Sequence, residues 1–135
     1  MPQENAEAFQ RAADAYNRGD IDTMLEGFHP EVEWHAVFQV MFGGEATVCR
    51  GHEDVRNYVG ELNEGFTDID VQLTEIRESQ DRVVATGRVH ARGRASGAEI
   101  EAPIVFVVDY KDGRIFRMRD YLDPDKDLEA AGLSE

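Results

Sequence analysis

Residues 113–123 read GRIFRMRDYLD, an otherwise amphipathic strand with an acid set into it. In an extended chain successive side chains alternate faces, so Phe116, Met118, Asp120 and Leu122 share one face. Ile115, Arg117, Arg119, Tyr121 and Asp123 share the other. Asp120 therefore falls in an apolar row, where a carboxylate is costly unless it is paired, protonated or facing a cavity. Acids placed in this way acquire shifted pKa values and are candidates for function.

A second alternating run, VVATGRVHARGR over residues 83–94, offers partners. One face carries Val84, Thr86, Arg88, His90, Arg92 and Arg94, and the other only valine, alanine and glycine. Arg88, His90 and Asp120 are a cation, a base and an acid on two strands, which meet if both strands bend around one pocket. A neutral imidazole, pKa about 6.5, becomes a useful base when a carboxylate orients it. The predicted catalytic set is thus His90 to move a proton, Asp120 to tune it or serve as acid, and Arg88 to stabilise negative charge. The rival reading is a polar pair that only fixes strand register.

Working outward, Phe9, Ala12, Ala13 and Tyr16 recur at helical spacing over residues 5–18, closed by Gly19. A second short helix through Met24, Leu25 and Phe28 must stop near His29, because Pro30 follows. Residues 32–34 read as a short strand, and residues 36–50 as a long, apolar loop broken at Gly43-Gly44, a candidate lid or dimer contact. Residues 53–64 place Val55, Tyr58, Val59 and Leu62 on a third helical stripe. Residues 69–76, 83–94, 100–110 and 115–122 then form four strands separated by turn signals at Gln80-Asp81, Ser96-Gly97 and Lys111-Asp-Gly113. Helices first and strands after predict a single α+β domain over 1–135, with three N-terminal helices packed on a curved, mainly antiparallel sheet.

The chain of 135 residues carries 28 acidic and 14 basic side chains, a net charge of −14. That balance disfavours nucleic acid and anionic lipid as partners. Cys49 is the one cysteine, which suits a reducing compartment, so the cytoplasm is the expected location. No apolar stretch approaches the roughly 20 residues that span a bilayer, and the first residues lack an export signal. His29, His35 and His52 show no metal-ligand spacing, so no metal is expected. The acidic clusters at residues 26–33 and 123–127 read as solvated surface.

The element order and the ending DGRIFRMRDYLD resemble the cone-shaped α+β barrel shared by nuclear transport factor 2, ketosteroid isomerase, SnoaL-like polyketide cyclases, scytalone dehydratase and limonene-epoxide hydrolase. The resemblance spans nearly the whole chain. It implies an apolar pocket inside the cone, a small-molecule substrate, no cofactor and a homodimer formed through the sheet. In limonene-epoxide hydrolase an arginine between two aspartates activates water; the matching positions here are Arg88, His90 and Asp120, with one acid replaced by histidine. The tyrosine and asparagine of that family match Trp34 and Ala36, which cannot supply the same hydrogen bonding. The acids of ketosteroid isomerase match Trp34 and the strand over residues 104–108, where no acid stands. SnoaL-like cyclases, whose proposed chemistry uses a histidine and an aspartate deep in the cone, correspond to His90 and Asp120.

Trp34, Phe38, Val40, Met41 and Phe42, with Phe106, Met118 and the rim residue His35, are the expected lining of that pocket. Tyr16 either donates a hydrogen bond into it or packs as core. The resulting expectation is an enzyme acting by acid and base chemistry on a small apolar carbonyl or epoxide compound, by cyclisation, isomerisation or epoxide opening. The alternative is a non-catalytic module of the same fold that binds a hydrophobic ligand or a partner.

Overall fold

The computed structural model describes residues 4–42 and 44–122. Helix α1 (Glu4–Asn17) buries Ala6, Phe9, Ala12 and Ala15 along one stripe. Its last residue, Asn17, donates to the Val71 carbonyl at 2.8 Å and accepts from the Val71 N–H at 2.9 Å, so a side chain substitutes for a strand partner and ties the helix to the sheet. Helix α2 (Ile21–Glu26) begins where Asp20 accepts from the Thr23 N–H at 3.2 Å, and it ends at Gly27. Helix α3 (Gly51–Gly65) buries Val55, Tyr58, Val59 and Leu62, and Asp54 accepts the Arg50 N–H at its start.

Six strands, β1 (Phe28–Ala36), β2 (Thr47–Arg50), β3 (Phe66–Ser79), β4 (Arg82–Gly93), β5 (Glu99–Lys111) and β6 (Arg114–Tyr121), form one sheet in the order β2-β1-β6-β5-β4-β3. The four C-terminal strands make the predicted antiparallel meander, and β1 joins it parallel to β6. Asp112 and Gly113 both have positive φ between paired Lys111 and Arg114, the geometry of a type I′ hairpin turn. Three helices on a curled, mostly antiparallel sheet are the α+β cone expected from the element order.

Three parts differ from the sequence reading. The early strand runs nine residues rather than three, because Pro30 sits in the unpaired stretch between the Phe28–Ile115 and Glu33–Arg117 pairs and so removes no ladder hydrogen bond. The apolar loop contains a short 3-10 helix (Phe38–Phe42) and the four-residue β2, which was too brief to carry a periodic signal. The third difference is a bulge in β6: Arg117 faces Asp109 but Ile115 already faces Tyr110, so Phe116 is extra. Ile115 consequently joins Met118 and Asp120 on the buried face, while Phe116 turns out to stack edge-on against His29. The side chains of Met41 and Phe42 and the acidic cluster at residues 123–127 lie outside the described residues.

A second bulge bends the sheet. Leu73 of β3 pairs with Gly87 and Glu75 with Thr86, which leaves Thr74 unpaired in the ladder, its hydroxyl donating to the Thr86 carbonyl at 3.1 Å. The backbones approach so closely here that a Cβ on Gly87 would overlap the Gln72 carbonyl oxygen and lie 2.9 Å from the Leu73 Cα.

Candidate functional site

The face of β4 made of Val83, Ala85, Gly87, Val89 and Ala91 is the buried one. Small side chains there leave space between sheet and helices, and a cavity of about 90 Å³ occupies it. Trp34 of β1, Phe106 of β5, Met118 and Asp120 of β6, Tyr16 of α1 and Phe38 after β1 all line it, with Tyr58 of α3. Its walls are apolar apart from Asp120, the two phenols and the indole N–H.

Asp120 is 5% exposed and is the one charged-type side chain buried among the described residues. The Trp34 indole Nε1–H donates to its Oδ1 at 2.9 Å, and the Val37 backbone adds a further hydrogen bond. Burial pushes its pKa up from 3.8 to about 8, against the smaller lowering effects of Trp34 and Val37. At pH 7 Asp120 is therefore mostly a neutral acid that still sits close to its titration point. Trp34 is held in turn by edge-on contacts with Phe28 and with Tyr58, the latter at 5.2 Å between centroids.

The phenols stay protonated. Burial pushes Tyr16 up to about 12, and raises Tyr58 well above its usual range with Asp120, Cys49 and Tyr16 adding to the rise and the Phe38 backbone opposing it. Cys49, on β2 beside Trp34, is pushed to about 12, first by burial and then by Asp54, Asp120 and Glu61. It is a packed thiol and not a nucleophile at neutral pH.

The predicted meeting of His90, Arg88 and Asp120 does not occur. His90 and Arg88 stand on the outer face of β4, where His90 Nε2 lies 3.3 Å from Glu99 and Arg88 Nε donates to Glu101 at 3.1 Å. The physical reason is desolvation: the large polar side chains of that strand reach water and ion pairs on neighbouring strands, and the small ones face the helices. His35 is also on the outer side, 2.6 Å from Glu33. His52 is half-buried, with Nε2 2.7 Å from the Phe28 carbonyl. Tyr58 was missed as a site residue because its helical spacing matched core packing equally well; only its neighbours in space set it apart.

Three helices packed on a curled, mostly antiparallel sheet around an apolar cavity define a protein of the nuclear-transport-factor-2-like cone class. The model of the SnoaL-like domain matches residues 9–118, and the chain belongs to that family. Among solved structures, the chain is similar to a nuclear-transport-factor-2-like protein of unknown function from Burkholderia pseudomallei, at 20% identity over 93% of this chain and 95% of that one, TM-score 0.80. It is similar to TerC, co-crystallised with polyporic acid, at 25% identity over 93% and 96%, TM-score 0.79. A protein of Jannaschia sp. CCS1 named for a SnoaL-like polyketide cyclase matches at 20% identity over 100% and 96%, TM-score 0.76. No curated protein matches the chain.

Proposed function

We propose that the chain is a cofactor-free enzyme that moves a proton on a small, largely apolar carbonyl or epoxide compound, with Asp120 as the transferring group. The observation that carries this reading is a carboxyl deep in an aromatic cavity, with a fixed N–H donor and, among the described residues, no second carboxyl and no cation lining the cavity beside it. A neutral acid whose pKa lies near the working pH can protonate a carbonyl or epoxide oxygen and then, as carboxylate, accept a proton from carbon or water. Tyr16 and Tyr58, which stay protonated, add hydrogen-bond donors for a developing oxyanion. The relatives named for polyketide cyclases and the co-crystal of TerC with polyporic acid support a small organic substrate. Cavity volume narrows the choice, since about 90 Å³ is well below the 300–1,000 Å³ usual for drug-sized ligands.

Solvent-deuterium exchange into a panel of small ketones and enones, followed by NMR, tests the proposal. At least one compound is expected to exchange with the wild type, and Asp120→Asn is expected to lower the rate by about 100-fold or more. His90→Ala is expected to exchange at the wild-type rate, because that ring stands outside the cavity. Equal exchange in wild type and Asp120→Asn would remove the mechanism.

The second reading, a non-catalytic module that holds a small hydrophobic ligand, is favoured by the lack, among the described residues, of a second carboxyl or an imidazole lining the cavity. Ligand binding without any exchange would select it. We also propose a cytoplasmic homodimer. On the sheet face opposite the cavity Val84 and Thr86 of β4 and Arg119 and Tyr121 of β6 flank Val105 and Val107, which the single chain already buries, and a second copy would rest on those more exposed flanking side chains. Light scattering is expected to give twice the chain mass of 15.2 kDa; the mass of a single chain would contradict the dimer. Among the described residues no helix is long and apolar enough to cross a membrane.

A further inference from the structure

We propose that the same cavity is a receptor for a small organic ammonium ion, held against its aromatic rings and paired with Asp120. This goes beyond the proton-transfer reading, which concerns neutral substrates; it shares with that reading the buried carboxyl of Asp120 but does not need any turnover. Seven of the lining side chains are aromatic, so a cation entering the cavity is surrounded by rings, whose faces are the attractive part. Ammonium ions stripped of water bind to such walls through the ring quadrupoles, most strongly to tryptophan and tyrosine, and Trp34 and Tyr58 are the two rings nearest in kind and place to Asp120.

Charge favours the same ligand. No lysine, arginine or histidine among the described residues lines the cavity, so the carboxyl has hydrogen-bond donors but no counter-ion. The titratable groups that face it are Cys49 from β2, Tyr58 from α3 and, beyond Tyr58, Tyr16 from α1, all of which remain protonated at neutral pH and add no charge. A bound cation would therefore supply the only full charge opposite Asp120. The overall charge of −14 draws cations toward the molecule and repels anions of the same size. The volume of about 90 Å³ suits on the order of half a dozen non-hydrogen atoms, which excludes peptides and long-chain amines in this state of the cavity.

Binding of a cation L⁺ replaces one proton: Asp120 carboxylic acid plus L⁺ gives the Asp120 carboxylate paired with L⁺ and a proton released to solvent. With the carboxyl titrating at about 8, removing that proton at pH 7 costs about tenfold in affinity, and the cost grows about tenfold for each unit of lower pH.

Tetramethylammonium is the probe, because its own charge does not titrate, and tert-butanol is the neutral control with the same number of non-hydrogen atoms. Calorimetry in buffers of different ionisation enthalpy is expected to show one proton released per tetramethylammonium bound by the wild type at pH 6. Its affinity is expected to rise about tenfold per unit from pH 5 to 7 and to level off above about 8. At pH 8 Asp120→Asn is expected to bind at least tenfold more weakly than the wild type, and its affinity is expected not to change with pH. Tert-butanol binding as tight as that of tetramethylammonium at pH 8, no proton release, or no tetramethylammonium binding at 100 mM would each overturn the proposal. The wild-type proton count does not depend on the variant folding, and proton exchange on ketones can fail while this binding succeeds.

Discussion

Between pH 5 and pH 8 the wild-type chain is expected to lose stability that Asp120→Asn keeps. In the unfolded chain Asp120 loses its proton around 3.8, whereas in the folded chain burial holds the proton on until about 8. The folded state thus binds more protons over that interval, and its stability falls as pH rises. The contribution is fully present below about 4 and is lost as pH climbs through about 8. At about 1.4 kcal/mol per tenfold, that gap corresponds to on the order of 5 kcal/mol, a large part of the stability of a small domain. Asparagine is close in shape, keeps an oxygen for the Trp34 N–H, and carries no charge to desolvate. Denaturant unfolding at pH 5 and pH 8 for both chains reads the effect directly, and the variant is expected to exceed the wild type at pH 8. Parallel pH dependence in the two chains would show that Asp120 ionises freely.

The second large effect is at Gly87. A methyl group there meets the Gln72 carbonyl and the Leu73 Cα, both backbone atoms of the adjacent strand, which no side-chain rotation can move aside. Gly87→Ala is therefore expected to cost about 3 kcal/mol or more and to disturb the bulge that lets β3 bend over the cavity. Gly60 is the contrast. It lies on the exposed side of α3 with nothing within 4 Å of an added Cβ, so Gly60→Ala is expected to stabilise the chain by about 0.5–1 kcal/mol. Thermal unfolding of both variants checks the pair, and equal tolerance at the two glycines would contradict the account of the sheet's curvature.

Most of the fold was legible because long periodic segments carry their own signal. The stripes of α1 and α3 and the alternation of β4 and β6 locate the helices and the meander to within a few residues. What escaped was decided by pairing between distant segments. β2 has four residues and no pattern of its own, and β1 extends past Pro30 only because β6 leaves that stretch unpaired. At the site, the acid in an apolar row was the right clue: Asp120 does sit in the cavity. Its partners were misread. Alternation correctly divided β4 into a small face that packs and a large face that reaches, but the pattern alone does not say what the large face reaches, and it was water and the neighbouring carboxylates rather than the pocket. The bulge at Phe116 is equally invisible in sequence, yet it sets Ile115 on the same side as Met118 and Asp120. The indole N–H that holds Asp120 comes from a strand 86 residues earlier, a relation no local pattern encodes.

Trp34 is the chain's one tryptophan, and its N–H touches the group on which the account depends. The most direct test is therefore the pH titration of its fluorescence, in the wild type and in Asp120→Asn. A transition with a midpoint near pH 8 that vanishes in the variant is the expected result, and it would establish a buried carboxyl poised for proton transfer. A wild-type midpoint near pH 4, or a transition near pH 8 that survives in Asp120→Asn, would contradict it.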